Sequence, residues 1–210
     1  MSARLLERLV RCVLGLALFG FGITLFVRAG LGLAPWDVFH LGVAENLDLS
    51  LGVVIIVVGF LLLLAWIPLS QRPGVGTVLN AVEIGLVVNL TKPLIGEADA
   101  LAVQVVMMAS GLLVVGLGSA LYIGAGLGSG PRDGLMMGIS GRTWASRRVS
   151  IRAARTAVEA SVLAAGFVLG GPIGIGTVAF MVGIGPLVQF LLPHFIVRTP
   201  VVAIPDGRTD

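Results

Sequence analysis

Long apolar runs separated by short polar or glycine-rich stretches fill almost the whole chain. A helix needs about 20 residues to cross the hydrocarbon core of a membrane. Six runs approach or reach that length, at residues 9–28, 51–67, 75–91, 100–123, 153–170 and 174–193. Two shorter and more polar segments, 35–47 and 131–142, begin with proline, and each predicts a short helix. The pattern predicts an all-α polytopic membrane protein.

Composition supports this class and excludes others. Of the 210 residues 57% are hydrophobic and 12% are charged, whereas about a quarter of an average soluble domain is charged. An ordinary soluble domain, a disordered tail and a nucleic-acid-binding module are therefore excluded. The net charge is +3, and most basic residues lie between or beside apolar runs, where they set membrane topology. With one cysteine, Cys12, and no Cys/His cluster, no disulfide, metal or cofactor is predicted.

The two halves of the chain share sequence. Gly15–Gly42 aligns with Gly111–Gly138 at 12 of 28 positions, and Leu69–Pro93 aligns with Leu169–Pro193 at 10 of 25. Two matching blocks in the same order predict an internal duplication. We expect one membrane domain, 1–210, with repeat 1 at about 10–95, repeat 2 at about 105–195, and a short cytoplasmic tail at 196–210.

Topology depends on whether the two short helices cross the membrane. If they do not, each repeat has three spans, the total is six, and the second repeat is inverted. The 14 Lys and Arg residues then lie on the cytoplasmic side with both termini, except Arg28 and Lys92. If they cross, there are eight spans and the repeats are parallel. The distribution of basic residues barely discriminates between the two topologies. Segment length and polarity favour six. Four aromatic residues are expected at span ends, at the lipid–water interface: Trp36, Trp66, Tyr122 and Trp144.

Five motifs in order carry a family resemblance. They are GLGLAPWDVFHLG, IPLSQRPGVGTVLNAVEIGL, YIGAGLGSGPRDGLMMGIS, RAARTAVE and LGGPIGIGTVAF. Over about residues 10–195 the chain resembles the YczE/YitT type of bacterial membrane protein, in particular its YczE branch. The resemblance implies an integral protein of the bacterial cytoplasmic membrane with internal repeats, and it brings no settled substrate or reaction. Glu83 departs from the apolar residue expected at its position.

A glycine-rich break precedes each short helix. Glycine ends a helix at positive φ, proline suits the first position of the next helix, and aspartate in the first turn is favourable against the helix dipole. The residues concerned are Gly30, Gly32, Pro35 and Asp37, with their mates Gly126, Gly128, Pro131 and Asp133. Paired breaks are typical of binding sites in inverted-repeat transporters. They are also explained as simple caps at the membrane surface, and both interpretations stay open.

Polar residues inside predicted spans are the remaining site candidates. Asn80 and Glu83 share one face of the third span, while Glu159 is placed to pair with Arg155 on the fifth. A charge at membrane depth costs several kcal/mol unless it is paired or hydrated. One interpretation is a central polar cavity in which Glu83 and Glu159 bind protons or cations. The other is structural, with an internal ion pair at Glu159 and a bond from Glu83 to a neighbouring helix.

These observations favour a small-solute permease that works by alternating access, and not an enzyme. Because each short helix carries its own carboxylate, a neutral or cationic solute is expected. Arg132 adjoins Asp133 and is expected to neutralise it. Membrane lipids and a second copy of the chain are the other predicted partners. The alternative is a structural or regulatory membrane protein that acts through partner proteins or lipids, using its Arg142–Arg152 segment. A hydrolase pairing Ser140 with His194 rests on a weak Gly-Ile-Ser-Gly pattern.

Overall fold

The computed structural model describes residues 3–140, 142–144 and 147–197. Eight α-helices make up most of this described part. They are α1 (Ala3–Ala29), α2 (Pro35–Leu47), α3 (Leu51–Trp66), α4 (Val75–Thr91), α5 (Leu101–Gly124), α6 (Pro131–Ile139), α7 (Ile151–Val168) and α8 (Ile175–Phe195). Between α6 and α7, two antiparallel two-residue strands pair, β1 (Thr143–Trp144) and β2 (Arg147–Arg148). The predicted helical class is confirmed; most of the predicted tail lies outside the described residues.

The first short helix has its predicted bounds, and the second is shorter than predicted. α6 ends at Ile139 rather than at residue 142, because Ser140 has extended backbone angles (φ −61°, ψ 141°). The chain then enters the small strand pair. The helical pattern of the sequence does not reveal this strand pair, since its strands are only two residues long.

Four of the described helices are long and apolar enough to cross a membrane: α1, α4 with the 3-10 turn that follows it, α5 and α8. A fifth span results if α2 and α3, which are bent by 114° relative to each other, count as one broken span. α3 has only 16 residues, and α7 carries Arg152, Arg155 and Glu159 in its first half. Length and composition therefore support a multi-pass membrane protein with four to five spans, and they do not establish six.

Contacts between helix ends give the direction of the long helices. Three hydrogen bonds show which ends meet: Arg8 Nε to Ala125 O (2.7 Å), Arg11 Nη1 to Phe195 O (3.2 Å) and Arg28 Nε to Lys92 O (3.1 Å). The start of α1 thus lies beside the ends of α5 and α8, which we call the basic end of the bundle. The end of α1 lies beside the end of α4. It follows that α1 and α4 run away from the basic end, while α5 and α8 run towards it.

Close packing of α1 against α5 depends on small residues. A Cβ atom on Gly15 would lie 2.7 Å from the Gly118 carbonyl oxygen, and one on Gly22 would lie 3.0 Å from that of Gly111. Side chains at these positions would push the helices apart. Removing this close contact would open the centre of the bundle, because α1 and α5 both line its core.

The glycine-rich break of each half docks on the last helix of the other half. The Leu31 carbonyl accepts a hydrogen bond from Gly176 N (2.7 Å), and the Leu127 carbonyl accepts one from Gly76 N (2.9 Å). Gly32 (φ +101°) and Gly128 (φ +130°) adopt backbone angles that favour glycine. They also leave no room for a side chain against the start of α8 and of α4.

Each short helix likewise packs on a helix of the other half. α2 packs on α7 and α6 packs on α3. A Cβ atom on Gly42 of α2 would approach Leu169 Cβ to 2.8 Å, and one on Gly138 of α6 would approach Leu69 Cβ to the same distance. Positions that align in sequence thus make matching contacts across the two halves.

One helix pair breaks the correspondence. α3 and α4 are in close contact where Gly52 meets Gly85, and a Cβ atom on Gly59 would lie 3.2 Å from Ala81 Cβ. α7 packs instead against α2 and α6 rather than along α8. Gly185, the counterpart of Gly85, has no atom within 4 Å of the position a Cβ would occupy. The second half is therefore open where the first half is closed.

Three of the four aromatic residues expected at span ends are buried within the bundle. Trp36, Trp66 and Tyr122 are only 5%, 2% and 4% exposed. The indole N–H of Trp66 donates to the Pro131 carbonyl oxygen (2.9 Å). A buried aromatic ring with a polar edge needs such a partner, and the bundle supplies it here. The Trp144 side chain lies outside the described residues.

Candidate functional site

Both short helices begin at one central cavity. Pro35 and Trp36 at the start of α2, together with Gly130 and Arg132 at the start of α6, line a cavity of about 190 Å³. Side chains of α1, α5 and α8 form mainly apolar walls, and α7 contributes charged ones. Cavities for drug-sized ligands occupy about 300–1,000 Å³, so this one suits a smaller molecule.

Two carboxylates that line the cavity have partners. Arg155 Nε and Glu159 Oε1 form an ion pair of 2.9 Å, as their spacing predicts. The Tyr122 hydroxyl donates to Asp133 Oδ2 at 3.1 Å. Asp133 is otherwise exposed, whereas Tyr122 is buried.

Arg132 has a different environment. Its guanidinium carbon lies 5.5 Å from the centre of the Phe19 ring and 5.8 Å from that of Trp36. Such cation–π contacts stabilise a charge without using its N–H donors. Arg132 makes no ion pair or hydrogen bond with any residue that the structure describes. Its N–H donors therefore have no acceptor among the described residues, and Arg132 is part of the cavity wall.

A second, smaller cavity lies on the other side of Asn80 and Arg132, which line both spaces. It holds about 20 Å³, and Asp37 and His40 contribute to its wall. One water molecule needs about 10–15 Å³. Asp37 Oδ1 and His40 Nδ1 are 3.5 Å apart, and both atoms are buried without a hydrogen-bond partner. The first short helix thus places a polar pair in the interior.

Among the site residues predicted from sequence, Pro35, Asn80, Asp133 and Glu159 line the central cavity. Pro131 and Asp37 line the smaller one, where Asn80 is again part of the wall. The structure therefore brings the starts of both short helices together around Asn80. The two aspartates line different cavities.

The four glycines of the breaks have other positions. Gly32 and Gly128 hold the contacts between the halves described above, and Gly30 faces open space. Gly126 lies near the Arg8 guanidinium and, with Gly128, borders a shallow depression beside Asp133. The glycines shape the backbone around the cavity without lining it.

Glu83 does not share the environment of Asn80. It is half-buried and lines neither cavity. Among the described residues it has no hydrogen-bond or ion-pair partner. The three-residue spacing predicts that Asn80 and Glu83 share one face of α4. They have different surroundings, because α4 contacts both α1 and α6.

The two residues of the hydrolase alternative lie at the ends of different helices. Ser140 lies at the C-terminal end of α6. The His194 ring nitrogen lies 3.1 Å from the carbonyl oxygen of Phe190 in its own helix. Among the described residues no hydrogen bond joins Ser140 to His194, and neither residue lines the central cavity.

Sequence reasoning missed the role of Arg132 and the partner of Asp133. The sequence predicts that Arg132 neutralises its neighbour Asp133, yet its guanidinium lies over Trp36, the residue that aligns with it in the first half. Tyr122 aligns with Phe26. Substitutions between otherwise matching repeats are the signal that could have identified both residues.

Residues 6–193 match the family of unknown function DUF6198, a span that includes every residue of both cavities. The chain belongs to this family. A relative in Haemophilus influenzae, an uncharacterized protein, is 40% identical over 88% of this chain and 83% of its own length. The uncharacterized membrane protein YczE of Bacillus subtilis is 32% identical over 87% and 84%. The predicted family resemblance is thereby confirmed.

A second Bacillus subtilis relative, the uncharacterized protein YyaS, is 27% identical over 87% of this chain and 93% of its own length. No solved structure matches the chain. Membership of the family therefore supports an integral membrane protein and assigns no activity to it.

Proposed function

We propose that this protein is a small-solute permease with six spans in two inverted repeats, working by alternating access. The observation that carries the proposal is the central cavity at which the short helices of both halves begin. Non-helical backbone at membrane depth is tolerated when it is buried in protein or lines a polar cavity. Broken helices that meet at such a cavity are typical of transporters with inverted repeats.

The ends of α3 and α7 support the two spans that length alone leaves open. Gly52 N at the start of α3 bonds Asn89 Oδ1 near the end of α4 (2.9 Å), whereas Trp66 at its end bonds Pro131 near the basic end. α7 starts after the strand pair, and the chain just past its end bonds Asn46 through the Leu169 carbonyl oxygen (2.8 Å). Arg142, just before the strand pair, donates to the Pro68 carbonyl oxygen just past α3 (2.7 Å), so α7 starts at the end of the bundle where α3 ends.

The unequal packing of the two halves supports alternating access. Inverted repeats can exchange conformations, so that a cavity open on one side becomes open on the other. The closed pair α3 and α4 and the open pair α7 and α8 are two such arrangements of aligned elements. Closing α7 against α8 would narrow the cavity at Glu159 and Gly185, which both line it.

The experiment tests that closure without knowledge of the solute. In a Cys12→Ala background, Arg152→Cys and Gly185→Cys place thiols at the positions that align with the Gly52–Gly85 contact. We expect a disulfide to form in membranes under mild oxidation, because α7 visits the closed arrangement. Arg152→Cys with Val178→Cys is the matched control, since Val178 lies a helix turn from the start of α8 and should not react.

A rigid second half would give no disulfide in either pair, and this result would contradict alternating access. Uptake into proteoliposomes then identifies the solute class, with small amino acids, carboxylates and amines as the panel. If no solute of the panel is taken up and no disulfide forms between Arg152→Cys and Gly185→Cys, the non-transporting structural or regulatory protein is favoured instead.

Topology has its own test. Gly96 lies at the end away from the basic end and has no atom within 4 Å of the position that a Cβ would occupy. A single cysteine at Gly96 should react with a membrane-impermeant reagent on intact cells, and one at the exposed Arg72 should react only after lysis. Equal labelling at both positions would contradict six spans.

A further inference from the structure

Arg132 is the cation of the central cavity that has no anionic partner among the described residues. Its guanidinium is held in place by the Phe19 and Trp36 rings. Contacts of this kind use the charge of the guanidinium and leave its N–H donors without an acceptor. A planar acceptor such as a carboxylate can accept two parallel hydrogen bonds from these donors.

The other charged side chains that line the cavity each have a hydrogen-bond partner. Glu159 is paired with Arg155 at 2.9 Å, and Asp133 accepts from Tyr122 at 3.1 Å. The formal charges of these residues and Arg132 sum to zero, but Arg132 differs from the others because it has no hydrogen-bond partner among the described residues. An incoming carboxylate would supply the acceptors that the N–H donors of Arg132 lack.

Helix geometry reinforces the same preference. The N-terminal residues of both α2 and α6 line the cavity, and helix N-termini carry partial positive charge. The sequence predicts that the aspartate in the first turn of each short helix repels an anion from the helix N-terminus. That premise is met only in α6, because Asp37 lies in the smaller cavity beside His40.

The remaining walls limit the body of the ligand. Phe180, Ile184 and Val188 of α8 form an apolar side, and the volume of about 190 Å³ admits a compact molecule. We propose that the transported solute is a small carboxylate with a short apolar body, and that its carboxylate binds Arg132. This inference rests on the proposed permease function and names the substrate class of the same cavity.

Propionate and propylammonium are matched probes, because they share a short apolar chain and differ in the sign of the charge. The test measures binding to the purified full-length protein in nanodiscs by thermal unfolding and calorimetry. We expect propionate to bind and raise the unfolding temperature, and propylammonium to have no effect. In Arg132→Gln the affinity should fall about tenfold or more, since a charge-assisted hydrogen bond is lost.

Two variants separate binding from folding. Arg132→Lys keeps the positive charge without the planar fork, so it should fold and bind propionate with intermediate affinity. Arg72→Gln removes an exposed arginine that lies outside both cavities, and it should bind as the unchanged protein does. Loss of binding in Arg72→Gln would show a non-specific charge effect and would overturn the site.

Three further results would overturn the proposal: stabilisation by propylammonium alone, equal propionate binding in Arg132→Gln and the unchanged protein, or binding of neither probe. Binding is measured without flux, so the two proposals can fail separately. Propionate that binds at Arg132 without uptake and without the Arg152–Gly185 disulfide would reject the permease and retain the carboxylate site.

Discussion

The starts of α2 and α6 share the same Pro-x-Asp sequence and place it differently. Asp37 is 4% exposed, and its Oδ1 lies 3.5 Å from His40 Nδ1. Asp133 is exposed to the central cavity and accepts from the Tyr122 hydroxyl. One short motif therefore gives a buried polar pair in the first half and a cavity-lining carboxylate in the second.

The difference comes from the aligned neighbours. His40 corresponds to Met136, and Tyr122 corresponds to Phe26. The motif sets the backbone, in which glycine ends one helix and proline starts the next, and the surrounding residues decide what the aspartate contacts. The comparison can be tested by giving each half the residue of the other.

The largest effect is expected from Gly59→Glu, which introduces the residue found at 159. Gly59 is buried, and its Cβ position lies 3.2 Å from Ala81 Cβ. A long charged side chain there would separate α3 from α4 and lose about 3 kcal/mol or more. Reversible unfolding in detergent measures this loss.

Gly59→Ala and Gly185→Ala are the controls for that change. The first should cost less than about 1 kcal/mol, since a small shift of Ala81 admits a methyl group. The second should be nearly neutral, because Gly185 faces open space. A Gly185→Ala variant as unstable as Gly59→Glu would contradict the open arrangement of α7 and α8.

An intermediate effect is expected from His40→Met, which introduces the residue found at 136. It leaves the carboxylate of Asp37 buried without the imidazole that lies 3.5 Å from it, and the free energy of unfolding should fall by about 2 kcal/mol. Thermal unfolding provides the measurement. Adding Asp37→Asn should recover part of the loss, and no recovery would mean that Asp37 and His40 do not interact.

The smallest effect is expected from Tyr122→Phe, which introduces the residue found at 26. The Asp133 carboxylate keeps its access to the cavity and loses one hydrogen bond, a change of about 1 kcal/mol in stability. Propionate binding should weaken, because Asp133 is then free to approach Arg132. Stronger propionate binding in this variant would contradict the proposed arrangement of charges.

Sequence alone predicts the helices, their approximate bounds and the family, because apolar runs and the Gly-Pro breaks are local signals. It also singles out Asn80 as a polar residue within a helix, yet the position of Asn80 between two cavities depends on α6. The burial of Trp36 and the position of Arg132 also depend on contacts between the halves. The small-residue contact of Gly52 with Gly85, and its absence at Gly185, likewise required the three-dimensional arrangement.

The docking of each break on the far half has a consequence for biosynthesis. Leu31 finds its hydrogen-bond partner at Gly176, near the end of the chain. The N-terminal half therefore leaves the ribosome and enters the membrane well before the Leu31 carbonyl can form this hydrogen bond. Assembly is completed only when α8 is made, so a truncated chain remains an open substrate for membrane proteases. Two separately expressed halves should rescue each other in the same cell.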